Sequence, residues 1–184
     1  MAVDKVILGI DPGTVVMGYG LIHVKGSVIS VLNMGVIKLN RFQDHHTRLK
    51  KIFDRTVEII NEYHPDEMAV EAPFFGKNVQ SMLKLGRAQG VAIAAALSRG
   101  LPINEYSPKK IKQSITGNGN ASKEQVSGML ENILKTRMEG VPLDATDGLA
   151  AALCHHFNSS GRSSSSKGYS GWAAFLKENP DRKR

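Results

Sequence analysis

The stretch that decides the fold reads Val6-Ile7-Leu8-Gly9-Ile10-Asp11-Pro12-Gly13-Thr14. It begins as an apolar, largely β-branched run, which is typical of a strand buried on both faces. The run ends in Asp11, and the turn residues Pro12 and Gly13 follow at once. A carboxylate at the tip of a buried strand is costly unless a cation holds it, so we predict that Asp11 binds a divalent metal. An aspartate that merely begins the turn explains the same residues.

The composition limits the kind of protein that this chain can be. Its 184 residues, of which 41% are apolar, are enough for one globular domain with a hydrophobic core. A formal net charge of +7 favours a polyanionic partner, because positive potential attracts phosphate-rich ligands. The single cysteine, Cys154, excludes an internal disulfide framework and fits a reducing compartment. No signal peptide or membrane-spanning stretch is recognisable, so we expect a cytoplasmic protein with no membrane partner.

Three strands are predicted to open the fold as an antiparallel meander, because the turns between them are short. The second strand covers Gly18 to Val24, and the third covers Val28 to Leu39 with a kink at Gly35. An amphipathic helix follows, roughly from His46 to Tyr63. Since this helical crossover precedes the next strand, Met68 to Pro73, that strand is expected to lie parallel to a meander strand.

The rest of the chain supplies a fifth strand and more helices. A helix is predicted over Val79 to Ser98, a short strand over Pro102 to Tyr106, and a last helix from Pro142 to about Phe157. The expected fold is therefore α/β, with a five-stranded mixed sheet of three antiparallel meander strands plus two parallel strands, flanked by helices. Residues 158–184 are serine-rich and basic, so they are predicted to form a flexible tail outside a domain of residues 1–157.

Three more acids are candidates for the same metal site. Glu71 ends the fourth strand as Asp11 ends the first, and ligand sites collect at the carboxyl ends of such strands. Asp144 and Asp147 are three residues apart, so they share one helical face. Helix capping also favours aspartates in a first turn, and a glutamate at a strand end can simply reach solvent. Four converging carboxylates would repel one another without a cation, and their hard oxygen atoms suit Mg²⁺, or Mn²⁺ in its place.

Aromatic and basic residues near these acids are candidates for contacts with nucleic acid. Phe74 and Phe75 lie in a predicted loop with Lys77, and exposed aromatic rings beside positive charge can stack on bases. Either ring can equally fold into the core. Lys112 and Lys123 belong to a group of four lysines around a turn of glycines and asparagines, which can hold phosphates. A solvated charged face is the ordinary explanation of such a run.

Two glycines in the long predicted helix, Gly86 and Gly90, lie one turn apart. Small residues at that spacing let another backbone approach closely. The sequence leaves open whether that backbone belongs to the sheet of the same chain or to a helix of a second chain.

Taken in order, these residues resemble the RuvC-type Holliday junction resolvases, which are crossover junction endodeoxyribonucleases of bacteria. The resemblance covers about residues 5–157, and it departs from the family pattern at Ala72-Pro73. The Asp-Pro-Gly turn is weakly specific alone, but the ordered set is highly specific. The matching motifs are Leu8-Gly9-Ile10-Asp11-Pro12-Gly13, Gly18-Tyr19-Gly20, Glu71 with Phe74 and Lys77-Asn78, Leu83-Lys84-Leu85-Gly86, Gly90-Val91-Ala92, Ile111-Lys112-Gln113, Gly119 with Lys123, and Asp144-Ala145-Thr146-Asp147-Gly148-Leu149-Ala150.

The resemblance implies a ribonuclease H-like fold and a homodimeric, Mg²⁺-dependent endonuclease. Such an enzyme resolves four-way DNA junctions by symmetric paired nicks in recombination and DNA repair, beside junction-binding and branch-migration proteins. By position, the implied metal-binding catalytic acids are Asp11, Glu71, Asp144 and Asp147, the implied stacking aromatic is Phe74, and the implied DNA-binding lysines are Lys77, Lys112 and Lys123.

Two other classes of function fit parts of the sequence. The stretch Gly9 to Thr14 resembles the first phosphate loop of ATP-binding proteins of the sugar kinase and chaperone type. Those proteins need a duplicated fold and a second glycine-rich loop, and this chain is too short for both. A non-catalytic binder of branched DNA would gain by discarding negative charge, so the four acids argue against that class.

Overall fold

The computed structural model describes residues 4–73 and 78–160, in which helices cover a five-stranded sheet. The strands are β1 (Asp4–Asp11), β2 (Val16–Lys25), β3 (Val28–Lys38), β4 (Glu67–Glu71) and β5 (Ile103–Tyr106). The helices are α1 (His45–Tyr63), α2 (Val79–Leu97), α3 (Pro108–Thr116), α4 (Lys123–Leu134) and α5 (Leu143–Ser160).

The strands lie in the order β3-β2-β1-β4-β5. Strands β1, β2 and β3 pair antiparallel, β4 pairs parallel with β1, and β5 pairs parallel with β4. The predicted meander with two parallel strands is therefore confirmed. Because β1 and β4 are parallel neighbours, their last residues, Asp11 and Glu71, lie at the same edge of the sheet.

The sheet is buried on both faces, which explains the nearly continuous apolar run of β1. Ile7 packs in a cluster with residues of α3, α4 and α5, whereas Leu8 and Ile10 pack with residues of α1 and α2. Ala69 and Val70 of β4 divide between the same two clusters. Successive side chains of a strand point to opposite faces, so both faces of β1 need apolar residues.

A capping box opens α4. The Ser122 side chain accepts a hydrogen bond from the Gln125 backbone N–H at 3.2 Å, and the Gln125 side chain accepts one from the Ser122 backbone N–H at 2.9 Å. These reciprocal bonds fix the start of α4, and they place Lys123 in its first turn.

The kink predicted at Gly35 is wrong. The register of β2 and β3 shifts instead between Leu21 and Ile22, which pair with Asn33 and Val31 and leave Leu32 without a partner in β2. Gly35 pairs regularly with Tyr19, and a Cβ atom at position 35 would lie 2.8 Å from the Tyr19 hydroxyl oxygen. The glycine therefore makes room for a tyrosine and does not bend the strand.

The last helix ends three residues later than predicted. It continues to Ser160, and the Asn158 side chain donates a hydrogen bond to the Cys154 carbonyl oxygen at 2.7 Å. The division into a domain of residues 1–157 and a tail of residues 158–184 stays a prediction, since residues 161–184 lie outside the described part. No helix among the described residues has the length and apolar character needed to cross a membrane.

Candidate active site

Close backbone contacts position α5 across the ends of β1 and β2. A Cβ atom at Gly9 would lie 2.0 Å from the Gly148 carbonyl oxygen, and one at Gly18 would lie 1.7 Å from the Asp144 carbonyl oxygen. Separations this short exclude any side chain, so the helix backbone rests directly on the strands. Because Gly18 pairs with Asp11, the first turn of α5 lies beside the end of β1.

Three aspartates meet at this contact. One carboxylate oxygen from each of Asp11, Asp144 and Asp147 lies within 4.8 Å of the other two. Ligands on opposite sides of Mg²⁺ are about 4.2 Å apart, so this all-oxygen set lies near the spacing that the ion needs. Glu71 is outside that group of three, but it lines a cavity of about 120 Å³ together with Asp11 and Asp147.

Burial and mutual repulsion make these carboxylates hard to ionise. Burial raises the pKa of Asp11 to about 8, and the negative charges of Glu71, Asp147 and Asp144 add to the effect. Burial also raises the pKa of Glu71 to about 7, with a further contribution from Asp147. The pKa of Asp147 is raised by burial despite a hydrogen bond from Lys123. Full ionisation of the site therefore costs free energy, and a bound cation relieves that cost.

Two lysines bring positive charge to the acids. The Lys123 Nζ donates a hydrogen bond to Asp144 at 3.3 Å and another to Asp147. Burial works against the ammonium, but the bond to Asp147 and the charges of all three aspartates outweigh it and raise the pKa of Lys123 above its ordinary value. Lys112 lines the same cavity, and its charge works to lower the pKa of Glu71. The ammonium of Lys123 is thus the cation that the described residues themselves supply to the aspartates.

The structure shows six of the eight predicted site residues close together. The six comprise the four acids and two lysines, namely Asp11, Glu71, Asp144, Asp147, Lys112 and Lys123. The two others, Phe74 and Lys77, lie outside the described residues. Proximity alone does not assign a role, so the catalytic and DNA-binding functions of all eight stay predictions.

Sequence reasoning missed two features that hold the site in place. The first is the close packing of α5 on the glycines of β2. Gly18 and Gly20 are two residues apart, so they lie on the same face of the strand, and α5, which is rich in alanine, packs against that face. That alternation was a usable sign of close helix packing. The second is Arg48, whose guanidinium donates to the Thr14 carbonyl oxygen at 3.0 Å and to the Phe42 carbonyl oxygen at 2.7 Å. No sequence pattern separates Arg48 from the other cations of α1.

Known proteins share this arrangement of elements. A family model described as crossover junction endodeoxyribonuclease RuvC matches residues 7–155. The chain belongs to the RuvC family. The RuvC of Christiangramia forsetii is 60% identical over 181 residues, which cover 98% of this chain and 94% of that protein. The RuvC of Porphyromonas gingivalis is 58% identical over 185 residues, which cover 98% of each chain.

Solved structures agree with the family assignment. The structure described as T. thermophilus RuvC in complex with Holliday junction substrate superposes with a TM-score of 0.78 at 34% identity, and it covers 84% of this chain and 94% of that chain. The yeast mitochondrial Holliday junction resolvase superposes with a TM-score of 0.56 at 16% identity over 85% of this chain and 83% of its own, which bears on the fold alone. The ribonuclease H-like fold implied by the sequence is confirmed.

Proposed function

We propose that this protein is a Holliday junction resolvase, which cuts four-way DNA junctions by symmetric paired nicks in recombination and DNA repair. The observation that carries the proposal is the convergence of Asp11, Asp144 and Asp147, with Glu71 on the wall of the same cavity. Acids gathered from three separate elements are not explained by capping or by a turn alone. Membership of the RuvC family and the net charge of +7 support a DNA substrate.

The metal that fits these residues is Mg²⁺, with Mn²⁺ as a substitute, because every candidate ligand is a hard carboxylate oxygen. Asp11, Asp144 and Asp147 would hold it, with Glu71 at the adjacent wall. Such an ion, when bound, lowers the pKa of a water molecule and stabilises the leaving oxygen of a phosphodiester. The raised pKa of Asp11 is consistent with this assignment, since burial and the neighbouring acids both make its charge costly without a cation.

The lysines bind and orient the substrate in this proposal. Lys123 is fixed by Asp144 and Asp147, so its ammonium is held at the mouth of the cavity in a defined position. Lys112, on the other wall, can donate to a second oxygen of the same phosphate. Two preorganised cations stabilise the negative charge that develops as the bond breaks. Phe74 would stack on a base at the opened junction centre and Lys77 would contact the backbone.

Two symmetric nicks need two sites, so we propose a homodimer in which α2 packs against α2 of a second copy. Val79, Leu83 and Leu97 are 62%, 52% and 58% exposed. They share one face of α2 with Gly86 and Gly90, where no described atom lies within 4 Å of the position that a Cβ atom would take. The described sheet does not pack on these glycines, which leaves a second chain as their partner. Leu83→Glu should give a monomer by sedimentation, whereas Lys84→Glu should leave the dimer intact.

The proposal extends to the pathway and the place of action. A resolvase acts on junctions that other proteins bind and move, so junction-binding and branch-migration proteins are the expected partners. A cytoplasmic location stays a prediction, in keeping with a chain that works on DNA.

The test is a nicking assay on a synthetic four-way junction, with and without Mg²⁺, and with unbranched duplex as the control substrate. The wild-type protein should nick only the junction, and only with the metal. Asp11→Asn should abolish nicking while junction binding survives, because the carboxylate is lost and the lysines remain. Asp54→Asn, a change of the same kind on the exposed side of α1, should nick normally. Nicking by Asp11→Asn at the wild-type rate would overturn the proposal.

A further inference from the structure

A second cationic surface lies on the α1 side of the sheet, apart from Lys112 and Lys123. It is a cavity of about 380 Å³, and four of its six lining residues are cations while none is an acid. This basic pocket is lined by Val36, Ile37, Lys38, Arg41, Lys51 and Arg55. A concave surface with that composition is suited to an anion.

Little in the described part of the chain neutralises the pocket. Arg55 pairs with Glu58 on the next turn of α1. Lys38, Arg41 and Lys51 form no ion pair with any described residue, and Arg41 only lies over the Phe42 ring, with its guanidinium carbon 5.2 Å from the centroid. Three cations are therefore free to bind phosphate.

The basic pocket is fixed to the turn that follows Asp11. Arg48 donates one hydrogen bond to the Thr14 carbonyl oxygen at 3.0 Å and another to the Phe42 carbonyl oxygen at 2.7 Å. It thereby joins the β1–β2 turn to the β3–α1 loop, which carries Arg41. The loop that carries Arg41 is thus tied to the turn that follows Asp11.

The register of the sheet sets the distance between the two sites. Asp11 pairs with Gly18, and Gly18 pairs with Val36. Two strand spacings of about 4.8 Å place Val36 about 10 Å from Asp11. The two sites are therefore close enough for one arm of a junction to contact both.

Positive charge continues from the basic pocket toward α2. His45, at the start of α1, has its pKa lowered by burial and then by the charges of Arg87 and Lys84 of α2. Those two cations therefore lie close to the α1 end of the surface. Positive charge therefore extends from the basic pocket past the start of α1 to α2.

We propose that the basic pocket binds the phosphate backbone of one junction arm, close to the bond that is cut. The inference rests on the proposed function, since it takes branched DNA as the substrate. Phosphate contacts of this kind add affinity and set the position of the arm, but they carry no sequence preference. The acidic face of a partner protein is the competing occupant, and the spacing from Asp11 favours DNA.

The test compares two double variants that remove equal charge. Arg41→Gln with Lys51→Gln empties the pocket of two cations. Lys25→Gln with Arg99→Gln is the matched control, because both residues are exposed and lie at the end of the sheet where β1 and β5 begin, away from Asp11. Junction binding is measured in chelator, so that no strand is cut, over a range of salt concentrations.

The pocket variant should bind the junction about 10-fold more weakly at low salt, and its slope of log affinity against log salt should fall by about 1.8. The control should stay within about twofold of the wild type. Junctions that each carry one neutral methylphosphonate linkage at a different position near the mapped nick should include one that weakens binding by the wild type and leaves binding by the pocket variant unaffected, because both changes remove the same contact.

Equal binding by the pocket variant and the control would overturn the inference, and would point to a protein as the occupant of the pocket. Additive losses from the variant and the neutral linkages would also overturn it. Failure of the resolvase proposal would give a different result. The wild type would not nick junctions with Mg²⁺, whether or not the pocket variant and the wild type differ in the salt dependence of binding.

Discussion

A cluster of ionisable groups lies at each end of α5, and the two clusters differ in how fully their negative charges are paired with positive ones. Near the C-terminal end, the His155 Nε2 lies 2.5 Å from a Glu67 carboxylate oxygen, and Lys5 donates to the same oxygen at 2.8 Å. The other ring nitrogen of His155 lies 2.8 Å from the Tyr106 hydroxyl. Burial works to raise the pKa of Glu67, but the hydrogen bonds from Lys5 and His155 outweigh it and the pKa is lowered.

At the N-terminal end of α5, negative charge exceeds positive charge. There Asp144 and Asp147 face Asp11 and Glu71, and the acids outnumber the nearby lysines. The pKa of Asp11 is raised to about 8, in contrast to the lowered pKa of Glu67. A satisfied cluster stabilises the fold, whereas a cluster left short of positive charge is prepared for a ligand. The contrast distinguishes Glu67, which is paired within the fold, from the acids that we propose to bind metal.

The largest expected difference between the two ends is in activity. Asp147→Asn should lower the rate of junction nicking by about 1000-fold, because it removes a proposed metal ligand and so the transition-state stabilisation that the metal would supply. Glu67→Gln should change the rate by less than about threefold, since Glu67 is at the opposite end of β4 from Glu71 and does not line the cavity. Single-turnover nicking with Mg²⁺ measures both. If both variants fold and lose the same fraction of the nicking rate, the two clusters do not differ in function.

Stability should respond in the opposite sense. Glu67→Ala should lower the free energy of unfolding by about 1 to 3 kcal/mol, because Lys5 and His155 would lose the carboxylate that they share. Glu62→Ala, on the exposed side of α1, should change it by less than about 0.5 kcal/mol. Urea denaturation measures both variants. A neutral result for Glu67→Ala would mean that its cluster is not structural.

The pH dependence of metal-free stability should sharpen the contrast further. Asp11 has an ordinary pKa of 3.8 and a folded-state pKa of about 8, so the folded protein binds more protons and loses stability as the pH rises across that window. Asp11→Asn should flatten this dependence and add about 1 to 2 kcal/mol at the alkaline end. Glu67, whose pKa is lowered, contributes stability above its ordinary value of 4.5 and loses it as the pH falls below. Thermal melts in chelator over this range test the signs.

The smallest expected effect concerns Lys123, which is about half exposed. Lys123→Gln should lower the free energy of unfolding in chelator by about 0.5 to 1 kcal/mol at pH 8, since solvent screens the ion pairs. Adding Mg²⁺ should reduce the difference from the wild type, because the ion supplies the same charge. Lys123→Arg is the control that keeps the charge. A deficit that Mg²⁺ leaves unchanged would separate the lysine from the metal site.

The sequence was sufficient to predict which acids meet. Asp11 and Glu71 could be placed at one edge because a helical crossover makes β4 parallel to a meander strand, and the structure confirms that β4 is the neighbour of β1. The aspartates of α5 could be placed on one face by their spacing. Their distance from Asp11 could not be predicted, because it depends on contacts between Gly18 and the helix backbone that involve no patterned side chain.

The wrong details have a common physical cause. The position of a strand irregularity depends on which residues pair across two strands. In β3 the extra residue is Leu32, whereas Gly35 makes room for the Tyr19 side chain. The end of α5 depends on a hydrogen bond from Asn158 to the preceding turn, which outweighs the serine-rich composition that follows. Both are tertiary or local contacts that propensity alone does not encode.

The seating of α5 on the strand glycines has a consequence for inherited variation. An added methyl group at position 18 would begin 1.7 Å from the Asp144 carbonyl oxygen, about half of a normal van der Waals separation, so the helix would have to retreat. Ligand distances around Mg²⁺ tolerate only about 0.1 Å of variation. Substitutions that carry no charge and touch no substrate can therefore silence the enzyme as completely as loss of a carboxylate, while the protein still folds.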